Sequence, residues 1–149
     1  MSAVVIYSSH RGNTEKVAQA IATQLNCSVV KLTEIFEAQS LSHEGCLVFL
    51  GTGIRGGEPY VELQNYLKVA KFKAGMRFVL FMTWAGGGAS NKLAYERVKQ
   101  QLEARGQSLD SDYFICLGQT FGFTRRGRPN ADDLAQAKNW AQQKLHSIQ

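Results

Sequence analysis

Five short apolar runs, rich in β-branched and aromatic residues, alternate along the chain with stretches in which apolar residues return every three or four positions. The runs 3–7, 28–32, 46–50, 78–83 and 113–117 read as strands. After the first run, Val17, Ile21 and Leu25, with Ala18 and Ala22 beside them, mark the buried face of a helix. A second helix is expected to open near Pro59, a favoured first helical position, with Tyr60, Leu63 and Leu67 on one face. A third spans 90–105 with Ala94, Val98 and Leu102 inward, and Gly106 is its left-handed stop. A fourth starts at the N-cap Asn130, places Asp132 and Asp133 in the positive first turn, and buries Leu134, Ala137, Ala141 and Leu145. The segment 33–45 reads as a short helix over 34–38 followed by loop. Near-continuous apolar strands alternating with amphipathic helices predict an α/β sandwich, a parallel sheet covered on both faces.

The junction between the first strand and the first helix carries the clearest chemistry. Tyr7 leads through Ser8, Ser9, His10, Arg11 and Gly12 to Asn13 and Thr14, a hydroxyl-rich turn that opens a helix. The first-turn amides of a helix have no intrahelical acceptor and lie at the positive end of its dipole, so an anion is stabilised there. Ser9 and Thr14 add hydroxyl donors, Asn13 adds an amide, and Gly12 lets the backbone approach a phosphate closely. His10 lies within this loop, either contacting a phosphate or facing solvent.

Several phosphate-binding classes are excluded by what the loop lacks. It has no Gly-Lys-Ser/Thr ending and no G-x-G-x-x-G, so neither the nucleotide triphosphatase loop nor the dinucleotide fingerprint is present. It contains no cysteine nucleophile, and the third strand run ends at Leu50 and Gly51 without a phospho-acceptor aspartate. The spacing of Val5, Ile6, Tyr7, Ser9, Gly12, Thr14, Ala18 and Ile21 resembles the signature of the flavodoxin family at every specified position. That resemblance implies a flavodoxin-like three-layer sandwich, with a five-stranded parallel sheet of order 2-1-3-4-5 and a ligand at the carboxyl ends of the strands. It covers the whole chain in a short form, and in the family this loop holds the phosphate of flavin mononucleotide (FMN).

The resemblance gives roles to two further loops, which parallel strands would deliver to the same edge. The loop after the third strand contains Thr52, Gly53, Ile54, Arg55 and Gly56, and in flavodoxins its equivalent turns a backbone carbonyl towards flavin nitrogen 5 when the semiquinone forms. The loop after the fourth contains Thr83, Trp84, Gly86 and Gly87; Trp84 is a candidate to stack on the flavin, with Phe121 and Phe123 as rival aromatic neighbours. Arg55 departs from the family pattern, in which an aromatic residue is common, and a cation there favours a reduced, anionic flavin.

Composition sets the remaining expectations. A chain of 149 residues with 44% hydrophobic content fits a single domain over residues 1–149. No basic leader precedes the first strand, and no apolar run approaches the roughly 20 residues needed to span a bilayer, so a cytoplasmic location is expected. Cys27, Cys46 and Cys116 form neither a disulfide framework nor a metal motif; Cys46 and Cys116 read as inert buried thiols. His10, His43 and His146 also lack metal-ligand spacing, and no metal is expected. The formal charge of +5 departs from the acidity common in flavodoxins. Arg125, Arg126 and Arg128 are positioned to steer an acidic redox partner or attract NADPH phosphate, whereas Lys68, Lys71, Lys73 and Arg77 read as a solvated face. Nucleic-acid binding is disfavoured, because no basic helix or aromatic strand platform accompanies the charge. No dedicated acid-base or nucleophilic pair is legible, so no catalytic residues are assigned. The expected function is a small FMN-binding electron carrier working between a reductase and an acceptor. The alternatives are an FMN-dependent oxidoreductase (an NAD(P)H:quinone or flavin reductase, or a tetrapyrrole-precursor oxidase) and a binding module that has lost FMN.

Overall fold

The central strand runs are apolar at both odd and even positions because each of those strands is covered on both sides. In the computed structural model, which describes residues 2–33, 45–119 and 127–148, Val4 and Ile6 face one core while Val5 and Tyr7 face the other. The same alternation divides Val48 and Leu50 from Leu47 and Phe49, and Phe78, Leu80 and Met82 from Val79 and Phe81. Burying both faces of a central strand removes each of these side chains from water, worth about 1.5–3 kcal/mol per large apolar residue.

The elements run β1 (Ala3–Tyr7), α1 (Asn13–Leu25), β2 (Ser28–Lys31), β3 (Leu47–Arg55), β4 (Glu58–Pro59), α2 (Val61–Val69), β5 (Arg77–Trp84), α3 (Ser90–Glu103), β6 (Leu109–Leu117) and α4 (Ala131–Ile148). The main sheet has the order β2-β1-β3-β5-β6, every pairing along it parallel. Without the short β4 this is the expected 2-1-3-4-5 order. Helices α1 and α4 cover one face and α2 and α3 the other, as Val17, Ile21, Ala137 and Ala141 join one core and Leu63, Leu67, Val98 and Leu102 the other. No helix among the described residues is long and apolar enough to cross a membrane.

Of the boundaries that differ from the sequence reading, three change how elements pair or begin. Strand β3 continues past Leu50 to Arg55, because β5 supplies a parallel partner as far as Gly53 and β4 an antiparallel one beyond it. The expected long glycine loop is therefore a tight hairpin: Arg55 pairs with Glu58, and only Gly56 (φ 59°) and Gly57 (φ 79°) turn the chain. Two consecutive left-handed residues suit the twist of a two-residue hairpin, and glycine adopts them without Cβ strain. Pro59 is spent in β4, so α2 starts two residues later, with Tyr60 as its extended N-cap rather than on its buried face. Strand β6 also begins earlier than expected, at Leu109, with a register irregularity opposite Phe78 and Leu80. The helix expected over 34–38, together with His43, Phe121, Phe123, Arg125 and Arg126, lies outside the described residues.

The N-cap expected for α4 is present and reciprocal. Asp133 N donates to Asn130 Oδ1 at 2.9 Å, and Asn130 N donates to Asp133 Oδ2 at 2.8 Å. Arg128 completes the arrangement with a two-pronged contact, its Nε and Nη2 donating to the Asp133 carboxylate at 2.6 and 2.7 Å. Asp133 is 5% exposed and its carboxyl is held below the usual value by the Arg128 hydrogen bond. A depressed folded-state value contributes stability above the unfolded value of 3.8 that is lost as pH falls through the folded one. Replacing Asp133→Asn should therefore cost about 2 kcal/mol at neutral pH. Urea unfolding at a series of pH values should also show the wild type losing stability below about pH 4 more steeply than the variant.

Candidate functional site

The carboxyl ends of β1, β3, β5 and β6 meet at one edge, and a cavity of about 400 Å³ opens there. It is lined by His10, Arg11 and Asn13 from the β1–α1 loop, by Ile54, Arg55 and Tyr60 from the β3–β4 hairpin and the start of α2, by Thr83, Trp84 and Ala85 from β5 and its exit, and by Gly118 and Gln119 after β6. A second cavity of about 380 Å³ shares the wall formed by Ile54, Trp84 and Ala85 and extends over Gly56, Gly57, Gly86, Ser90 and Leu93. Both are of the size that holds small cofactors.

The β1–α1 loop is built from its own hydrogen bonds. Ser8 N donates to Gly51 O at 3.0 Å, extending the β1–β3 ladder by one residue. Gly12, the N-cap of α1 with φ 86°, has no side chain to cap the helix. Ser9 supplies that function from three residues upstream, its Oγ accepting from Gly12 N at 3.1 Å and from Glu15 N at 3.3 Å. The Ser9 oxygen thus shapes the loop as an acceptor, and these two contacts leave its O–H hydrogen to donate elsewhere. The first-turn amides of Asn13 and Thr14 have no acceptor within the helix, as at any helix start.

The other polar side chains of the loop are also engaged. Thr14, 1% exposed, meets Thr83 hydroxyl to hydroxyl at 2.8 Å beneath the loop. The Asn13 amide donates one N–H to Gln119 O at 2.7 Å and its carbonyl accepts from Gln119 N at 3.2 Å, so the side chain expected near a phosphate also ties the loop to the β6 exit. A side chain at position 118 would overlap Asn13, and Gly118 leaves room for that pairing. His10 is exposed to solvent and at the same time held by the protein. Its ring stacks on Tyr60 with centroids 3.7 Å apart and planes 4° from parallel, and its Nε2 meets Glu62 Oε1 at 2.6 Å.

Tyr60 is held against β3 at two consecutive residues. Its backbone N donates to Thr52 Oγ1 at 2.9 Å, and a Cβ at position 53 would overlap its ring. Thr52 is fully buried, and its hydroxyl also donates to Gly53 O at 2.8 Å and accepts from Ser8 Oγ at 3.4 Å. Burial raises the Tyr60 phenol above its ordinary value, opposed by the nearby positive charges of Arg11 and Arg55. Cations from two loops therefore converge on this side of the cavity, which favours an anionic occupant.

Of the residues singled out from sequence, His10, Arg11, Asn13, Ile54, Arg55, Thr83 and Trp84 line the main cavity, and Gly56 and Gly86 the adjoining one. Ser9, Gly12, Thr14, Thr52, Gly53 and Gly87 line neither; Ser9, Thr14, Thr52 and Gly53 shape the loop or the hairpin from beneath. Tyr60, Ala85, Gly118 and Gln119 were not anticipated. Tyr60 follows Pro59 in a pattern that suits a helix face, and only the hairpin pairing, invisible in periodicity, moves it to the cavity. Arg128, expected to face a partner, is committed to Asp133. Burial pushes the Cys116 thiol up to about 12 and raises Cys27, consistent with unreactive thiols. No cluster of metal-ligating side chains occurs among the described residues.

The family profile of the Flavodoxin domain matches residues 4–121. An uncharacterized protein of Methanocaldococcus jannaschii is 27% identical over 150 residues, covering 95% of this chain and 96% of its own. The structure of oxidised flavodoxin 2 from Bacillus cereus superposes with a TM-score of 0.75 at 18% identity, covering 99% of both chains. Rubredoxin oxygen:oxidoreductase from Desulfovibrio gigas aligns with 99% of this chain but 36% of its own, with a TM-score of 0.65 at 16% identity. The same fold thus occurs both as a whole chain and as part of a larger one.

The packing at Gly53 yields a direct test. Gly53→Ala should displace the Tyr60 ring, lower stability by about 1–3 kcal/mol in denaturant unfolding and shift the His10 and Tyr60 ring resonances in NMR spectra. Unchanged ring resonances would show that the hairpin accommodates the methyl group without moving Tyr60.

Proposed function

The chain belongs to the flavodoxin family, and on that footing we propose that it is a small FMN-binding electron-transfer protein working between a reductase and an acceptor. The observation that carries this reading is the β1–α1 loop, preformed at the start of α1 and opening onto a cavity that shares a wall with a slot between two loops. The residues present fit the group. First-turn amides and the Arg11 side chain suit a phosphate, and the wall of Ile54, Trp84 and Ala85 between glycine-lined turns suits a flat ring. FMN, when bound, supplies one- and two-electron redox chemistry at the ring.

In this reading the β1–α1 loop anchors the phosphate, while the Gly56–Gly57 hairpin and the exit of β5 flank the ring. Trp84, half-buried at the end of β5, is the stacking candidate. Arg55, exposed at the end of β3, adds positive charge at the same edge and stabilises negative charge that accumulates there on reduction. Solvent reaches the cleft, so a partner's redox centre can approach it without entering a closed pocket.

The partners proposed are redox proteins, with an acidic docking surface on the acceptor or reductase matching the +5 charge of the chain. An FMN-dependent oxidoreductase is the second reading, favoured by the convergence of Arg11 and Arg55 on the cavity, which would also attract the phosphates of NAD(P)H. Residues 1–149 form one domain in either case, and a cytoplasmic location is part of the proposal.

Anaerobic photoreduction of the FMN-loaded protein, followed spectrally, should proceed in two resolved one-electron stages. Rapid oxidation of NADPH by the purified protein alone would transfer the assignment to the oxidoreductase, and failure to bind added FMN would remove both. In the same titration Arg55→Ala should make the second reduction step more difficult than in wild type. An unchanged potential would show that the Arg55 charge does not act on the ring.

A further inference from the structure

The β1–α1 loop is tied to the rest of the molecule on three sides. Thr14 contacts Thr83 beneath it, and Asn13 pairs with Gln119 on the β6 side. Both of these ties belong to the first turn of α1. The third comes from His10, before the Gly12 turn, and reaches the opposite wall at the start of α2.

Glu62 is the unusual member of that third tie. Its side chain is only 12% exposed, and its Oε2 is buried with no hydrogen-bond partner among the described residues. A buried carboxylate is costly unless a donor offsets its lost hydration. The first turn of α2 contributes its positive end, and His10 contributes the direct contact. A carboxylate can only accept, so His10 Nε2 carries the hydrogen in this contact. Donor and stack act at right angles. The Glu62 contact fixes where the imidazole edge lies, and the Tyr60 face fixes the plane of its ring.

We infer that Glu62 is a positioning residue for the phosphate-binding loop, acting through His10 and Tyr60 rather than on the ligand. Glu62 lines neither cavity, whereas His10 and Tyr60 line the main one. The groups in contact with the imidazole are the Glu62 carboxylate and the neutral Tyr60 ring from the start of α2, and the charges of Arg11 from its own loop and Arg55 from the end of β3 act on that Tyr60 ring. With His10 clasped, the backbone between Ser9 and Gly12 is held before an anion arrives, and less conformational freedom is lost on binding. Deleting the clasp therefore weakens capture of the phosphate and leaves recognition of the ring unchanged. The inference deepens the FMN reading and rests on it only for the identity of the ligand.

Binding to the full-length apoprotein of FMN, riboflavin and inorganic phosphate, by flavin fluorescence for the first two and by NMR titration of the loop amides for phosphate, tests this directly. Glu62→Ala and His10→Ala should each weaken FMN and inorganic phosphate about tenfold while riboflavin stays within about twofold, and the double variant should be no weaker than either alone. His10→Phe, which keeps a ring on Tyr60 but loses the donor, should fall with His10→Ala, and thermal unfolding should show all variants folded. Unchanged FMN and phosphate affinity in Glu62→Ala overturns the inference, as does an equal loss for riboflavin, which would reveal a ring contact or general loosening. A wild type that binds phosphate but neither flavin would sink the FMN reading while leaving the clasp standing.

Discussion

The geometry of the cleft depends on the parallel register of β1, β3 and β5, in which Tyr7 lies opposite Gly51 and Gly51 opposite Phe81. A side chain at Gly51 would overlap the Phe81 ring, so the ring fills the space that glycine leaves on the face covered by α1 and α4. That close approach keeps the three strand ends level. Ser8, Thr52 and Thr83 then emerge at one edge, and their hydroxyls knit the edge from below: Ser8 to Thr52, and Thr83 to Thr14. Buried hydroxyls are stable only when paired, so these contacts specify one arrangement of the strand ends.

Charge is used locally, and the net value conceals this. Arg128 is committed to Asp133, Lys144 bridges Asp110 and Asp112 at 2.7 and 2.9 Å, and Arg105 donates to the carbonyls of Leu67 and Ala70 at the end of α2 while lying 4.6 Å over the Phe72 ring. These cations close the fold. Arg11 and Arg55 instead act at the cleft, where their positive charge opposes the rise of the Tyr60 phenol.

The layered fold was legible because burial on two faces writes itself into a strand as an unbroken apolar run and into a helix as a repeating stripe. Val17, Ile21, Val98 and Leu102, each inferred from spacing, are fully buried. The start of α4 was legible for a similarly local reason, since Asn130 and Asp133 satisfy each other within one turn. The hairpin at Gly56 and Gly57 was not. Glycine and proline normally mark loops, and the pairing that makes β3 run to Arg55 comes from β5 and β4, strands remote or reversed in the chain.

The sequence by itself determined the layers, the order of elements and the hydroxyl-rich turn that opens α1, because each rests on periodicity or on contacts within a few residues. Only the tertiary structure decided what the polar side chains of that turn do. Ser9, Asn13, Thr14 and His10 are donors and acceptors of the right kind for a ligand, yet each finds a partner within the protein, at positions 12 and 15, 119, 83 and 62. Three of those four side chains find their partners at residues distant in sequence, where hydrophobic spacing carries no information. Their hydrogen bonds convert a loop that sequence describes as a set of donors into a scaffold tied to α2, β5 and the exit of β6.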